Sequence, residues 1–151
     1  MTVTGRIEGL EETLKAFDRL GAAGKRHART AIQATAEKVR ADAVKSIQQG
    51  PKSGIVYERG TGQNLSPTHQ ASAPGQAPAT DTGNLAGSGK TSVRGLTGTV
   101  RFTAPYAFWL EFGTLKMAPR PFLQPAFKAN EQFLVDALRR GLDRATQEFN
   151  R

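Results

Sequence analysis

The chain has 151 residues, no cysteine and a net charge of +8, with an isoelectric point near 10.3. One compact domain over 1–151 fits that length; disulfides, thiolate metal sites and cysteine nucleophiles are excluded, and the basic balance favours an acidic partner. No apolar run approaches the roughly 18 residues that span a bilayer, and Met1–Glu8 lacks the apolar core of a signal peptide, so the expectation is a cytoplasmically made protein without a membrane partner.

Residues 2–8 alternate weakly, with Val3, Gly5 and Ile7 on one side and Thr2, Thr4, Arg6 and Glu8 on the other, which predicts a short strand. Leu10, Leu14, Phe17 and Leu20 recur every three or four residues and predict an amphipathic helix, with Glu11 and Glu12 at its positive end and Gly21 and Gly24 breaking it. A second helix is predicted from about 25 to 49. Ala28, Ile32, Ala36, Val39, Ala43 and Ile47 form its stripe, and Gly50-Pro51 ends it. Its other face carries Lys25, Arg26, Arg29, Lys38, Arg40 and Lys45, candidates for facing DNA phosphate if they are not simply solvated.

Glycine and proline then crowd residues 50–80, which predicts a long flexible arm. Within it only Ile55, Val56 and Tyr57 offer an extended piece, the candidate for reaching a neighbouring subunit. Two strands, 90–95 and 99–103, form a predicted hairpin around Leu96-Thr97-Gly98. The aromatic run from Pro105 to Phe112 is read as a further strand, turned at Gly113-Thr114. One last helix is predicted from about Phe122 to Phe149, with Pro121 and Pro125 near its first turn, where a missing N–H costs little, and a bend at Gly141. The order points to an α+β fold: a small, mainly antiparallel sheet packed by two or three helices.

Chemistry is sparse. Gly87-Ser88-Gly89-Lys90-Thr91 imitates the end of a phosphate-binding loop, but the pattern needs glycine at position 84, where Asn84 stands, and a helix should follow, not a Thr/Val strand. His27 and His69 lack ligand-spaced neighbours. No catalytic, metal or cofactor residue is nominated, and an enzyme is not expected. Glu111, set among aromatics, should need a partner if buried; Arg120 and Lys116 are the candidates for a salt bridge, and an exposed strand-edge carboxylate is the alternative. Gly113 should adopt a backbone conformation that other residues avoid, Arg120 is held between prolines, and Phe122 and Leu123 should lock the last helix to the sheet.

One stretch is distinctive as a whole. Tyr106-Ala107, then Leu110-Glu111-Phe112-Gly113-Thr114, then Lys116-Met117-Ala118-Pro119-Arg120-Pro121-Phe122-Leu123-Gln124-Pro125-Ala126, resembles the signature of the gene-product-ten-like family of HK97-type phages, neck or tail-completion proteins. Upstream, Ala73-Pro74-Gly75, Pro78, Asp81-Thr82-Gly83-Asn84-Leu85 and Ser88 resemble a second element of that family. The likeness covers residues 73–127. It departs at Pro119, where alanine commonly precedes the Arg-Pro-Phe run, and at Ala86-Gly87, where basic residues are common.

The resemblance implies a structural virion protein of the head–tail joint. It would assemble in the host cytoplasm as a ring of copies of itself, six to match a tail tube. Its neighbours would be head-closure or connector, tail-terminator and tail-tube proteins, with non-specific contact to packaged DNA. Tyr106, Glu111, Phe112, Gly113, Thr114, Arg120, Pro121, Phe122 and Pro125 would serve in structural or inter-subunit roles. A tail-terminator ring, or a DNA-contacting connector lining the genome channel, is the alternative. Deletion of 55–72 is expected to leave a folded monomer that does not assemble.

Overall fold

A computed structural model describes residues 2–8, 11–58 and 68–150, with side chains described for residues 2–5 and, within those ranges, from Lys15 onward. The chain runs β1 (Val3–Glu8), α1 (Glu11–Arg19), α2 (Gly21–Gln48), β2 (Val56–Glu58), β3 (Thr68–Gln70), α3 (Asn84–Gly87), β4 (Gly89–Arg94), β5 (Thr97–Phe102), α4 (Ala107–Phe112), α5 (Leu123–Ala129) and α6 (Glu131–Phe149). It is an α+β fold. β1, β5 and β4 form one antiparallel sheet in that order, and β2 and β3 pair as a separate hairpin.

The sheet is two-sided because its strands alternate. Val3, Val100 and Phe102 point inward and are buried, while Thr4, Lys90, Ser92, Arg94 and Arg101 are exposed. Register sets Val3 and Gly89 on either side of Phe102, whose ring meets Phe122 edge to face at 5.0 Å. Val39, Ala43 and Ile47 of α2, with Leu123 and Ala126 of α5, complete this core. The stripe of α2 expected from its sequence is buried from Ala28 to Ile47. Its small side chains let α2 lie close to the sheet at one end and to α1 and α6 at the other, where Phe17, Ala28, Ala31 and Leu138 form a second cluster.

Four expectations are corrected. Gly21, at φ +64°, makes the joint between α1 and α2, but Gly24 lies inside α2 and does not break it. A Cβ there would sit 2.2 Å from the Phe17 carbonyl oxygen, so Gly24 lets the two helices touch. Leu10 lies outside the described residues, as does the side chain of Leu14.

The region 50–80 is not wholly irregular. Val56, Tyr57 and Glu58 pair with Gln70, His69 and Thr68, a partner that local composition hides because Thr68–Gln70 has no strand pattern of its own; residues 59–67 lie outside the described residues. The aromatic run is helix α4, not a strand: Ala107 and Glu111, four apart, are buried together, and this tertiary demand overrides the strand preference of aromatics. The last helix is two helices. It is interrupted at Asn130, whose buried amide donates to the Ala126 carbonyl and to Asp42 of α2, both at 2.8 Å, while Gly141 stays inside α6 against the His27 backbone.

Among the described residues no helix is long and apolar enough to cross a membrane.

Candidate assembly surface

The distinctive stretch folds into a clasp. α4 ends as the Gly113 N–H donates to the Trp109 carbonyl at 2.8 Å. Gly113, at φ 76° and ψ −176°, turns the chain into a tight reversal closed by Thr114 and Met117, which exchange backbone bonds of 2.8 and 3.3 Å. The Thr114 hydroxyl accepts from the Lys116 N–H, and the returning chain is fastened by the Arg120 N–H donating to the Leu110 carbonyl at 2.6 Å.

Glu111 completes the clasp. It is 4% exposed and accepts the N–H groups of Phe122, Leu123 and Gln124 at 2.9, 3.0 and 2.7 Å. A helix start leaves four N–H positions without intrahelical partners. At α5 these are Phe122, Leu123, Gln124 and Pro125, and proline has no N–H, so Glu111 meets every donor there. The positive end of the helix also favours its charge.

The expected salt bridge to Arg120 or Lys116 is therefore corrected, and so is the exposed-carboxylate alternative. Backbone donors do the pairing. Arg120 instead donates through Nε to the Ser72 carbonyl at 3.1 Å, and Gly75 N–H donates to the Pro119 carbonyl at 2.9 Å, stitching the base of the arm to the clasp. Ser72 is fully buried, so a deletion meant to remove only the arm should stop at residue 70, not 72. Phe122 and Leu123 are buried against the sheet and α2, as expected.

This rigid support carries apolar side chains outward. Tyr106, just before α4, and Trp109 and Phe112 within it recur every three residues and are 38, 43 and 59% exposed, and Leu115 at the tip of the reversal is wholly exposed. Ile55, Val56 and Tyr57 of the hairpin are more than half exposed. Tyr57 and Tyr106 line one cavity of about 490 Å3, with His69, Leu110 and Arg120, so the hairpin and α4 border the same recess. Burial, then the nearby Asp81 charge, raises the pKa of Tyr106. Trp109 and Leu115 are not among the motif residues. The three-residue spacing of Tyr106, Trp109 and Phe112 is the signal that could have placed them on an exposed face.

The basic residues of α2 are not a free cationic face. Lys25 pairs with Asp18 at 3.3 Å, Arg26 with Glu148 at 2.5 Å, Lys38 with Asp42 at 3.1 Å and Arg40 with Glu37 at 3.2 Å; Arg29 and Lys45 are exposed. His27 Nε2 also lies 2.8 Å from Glu148, so both tie α6 to α2. Among the described residues no three His, Asp or Glu side chains gather as a metal site.

Acid should loosen these ties. A hydrogen bond from the Thr91 hydroxyl holds Glu37 below the usual carboxylate range, and one from the Asn130 amide does the same for Asp42. A carboxyl whose pKa is lower folded than unfolded stabilises the fold above its unfolded pKa and loses that contribution as pH falls through the folded one. Chemical denaturation midpoints should be flat above about pH 5 and decline below about pH 4, and the decline should shrink in Asn130→Ala.

No family model, curated protein or solved structure matches the chain.

Proposed function

We propose that the protein is a structural virion subunit of the head–tail joint of a long-tailed bacteriophage, completing the tail end by closing into a ring of its own copies, six to match a tail tube. The single observation carrying this is the outward row of Tyr106, Trp109, Phe112 and Leu115 on a braced support. Large apolar side chains left exposed together on one short segment mark a surface that is covered in its working state. The motif resemblance over residues 73–127 supports the same reading, because its Glu, Gly and Arg-Pro-Phe positions are the parts that hold this row in place. In such a ring each subunit offers one surface to a different surface of the next, and the rotation closes. Connector or terminator and tail-tube proteins would stack on its two ends.

Sedimentation velocity tests the assembly. The wild type is expected as a closed oligomer, and Trp109→Ser combined with Leu115→Asp as a monomer whose melting temperature stays within about 4 °C of the wild type, since exposed positions contribute little to stability. Replacing residues 55–70 by two glycines, a join already spanned by the Gly54 N–H bond to the Ala71 carbonyl at 2.8 Å, should act alike. A wild type that remains monomeric in the presence of its neck and tail neighbours, or variants that assemble normally, would end this reading.

A further inference from the structure

We infer that the open face of the β1-β5-β4 sheet binds the phosphate backbone of duplex DNA. The helices cover only the other face, and the described side chains on this one are basic or hydroxyl-bearing: Lys90, Ser92 and Arg94 of β4 and Thr4, Thr97, Thr99 and Arg101 at the same pleat positions of β1 and β5.

Lys90 and Arg101 are direct cross-strand partners. Like charges at such positions, about 5 Å apart, destabilise a sheet, and no carboxylate among the described residues is paired with either. Lys90, Arg94 and Arg101 have no ion pair among the described residues. In the same molecule four of the six cations of α2 are matched to carboxylates, and α6 interleaves its arginines with Asp136, Asp143 and Glu148. Most α2 cations are thus matched to a carboxylate within α2 or on a neighbouring helix, whereas Lys90, Arg94 and Arg101 of the sheet are matched to none among the described residues.

The partner follows from what the face lacks. It carries no aromatic or large apolar side chain, so it can neither stack on unpaired bases nor insert into a lipid surface. Lys90 and Arg94 lie about 13 Å apart along one strand, with serine and threonine hydroxyls between them to donate to phosphate oxygens. Such a surface holds a backbone without reading sequence. The proposal does not depend on the ring, since it concerns one subunit's sheet.

Fluorescence anisotropy with a labelled duplex of about 30 base pairs, titrated between about 50 and 200 mM salt, tests it. The wild type should bind two unrelated sequences equally and with steep salt dependence. The Lys90→Gln, Arg94→Gln, Arg101→Gln triple should bind on the order of 100-fold more weakly, with the log–log salt slope smaller by about 2 to 3. Lys25→Gln, Arg29→Gln, Lys45→Gln removes the same charge from α2 and should weaken binding less than about 10-fold.

Lys90→Gln alone should reduce the slope by about 1 while melting at or above the wild-type temperature, which separates lost contact from lost fold. Equal losses from both triples, no duplex binding by the wild type, or binding to phosphatidylglycerol vesicles without binding to duplex would overturn the proposal. A protein that stays monomeric yet binds duplex through these three residues sinks the ring alone; a ring that ignores duplex sinks this inference alone.

Discussion

Glu111→Ala is expected to lower folding stability by about 4–6 kcal/mol, because three charge-assisted bonds of roughly 1.5–3 kcal/mol each are lost together. The loss is large because alanine leaves the Phe122, Leu123 and Gln124 N–H groups without an acceptor beside a buried position. For a chain of this length the melting temperature should fall by about 10–20 °C. Glu111→Gln separates charge from shape. Its single carbonyl oxygen can meet part of the set, but its amide points donors at donors, so about half the loss should remain. A Glu111→Gln protein that melts with the wild type would refute the helix-start role and reopen the salt-bridge reading.

Gly113→Ala is expected to cost about 3–5 kcal/mol for two separable reasons. The φ 76°, ψ −176° conformation belongs to a region that essentially only glycine occupies, at a cost of up to about 3 kcal/mol for other residues. An added Cβ would also lie 2.7 Å from the Met117 carbonyl oxygen and 2.9 Å from the Pro119 nitrogen, both backbone atoms that cannot swing aside. Gly87→Ala is the matched control, with open space around the new methyl, and should change stability by less than about 1 kcal/mol.

The two clasp substitutions should not add. Glu111 reaches α5 only because the reversal at Gly113 brings Phe122 back beside α4, so the double variant should lose at least about 1 kcal/mol less than the sum of the singles. Additivity within a few tenths would show that helix start and reversal are independent. Both variants should also weaken assembly, since the exposed row from Tyr106 to Leu115 rides on this support.

Charge is where composition says least about geometry. Lys25, Arg26, Arg29, Lys38, Arg40 and Lys45 read as one basic helix face, yet four of them sit beside carboxylates. Their acids come partly from elsewhere in the chain: Asp18 from α1 and Glu148 from the far end of α6. A linear count of charge cannot register a pairing made across more than a hundred residues. The sheet cations lie on two separate strands, and only the register sets Lys90 against Arg101.

What the sequence determined by itself is what short-range periodicity encodes. The stripe from Ala28 to Ile47, the strand at Val3–Glu8, the need for glycine at 113 and the existence of the β4–β5 hairpin all follow from spacing and backbone sterics, interactions within a few residues, although the hairpin turns at Gly95-Leu96 and not at the expected Leu96-Thr97-Gly98. Tertiary structure alone decided the rest. Phe108 and Trp109 favour strands as residue types, yet they form helix because Ala107 and Glu111 must be buried on one side. One continuous apolar stripe became α5 and α6 because the Asn130 amide finds Asp42 on a distant helix. Thr68–Gln70 became a strand only by meeting Val56–Glu58. Glu111 found not a cation but the bare start of a helix eleven residues on. In each case the deciding partner lies beyond the reach of local pattern, and a backbone or amide hydrogen bond made in a buried setting outweighs the intrinsic preference of the residues that make it.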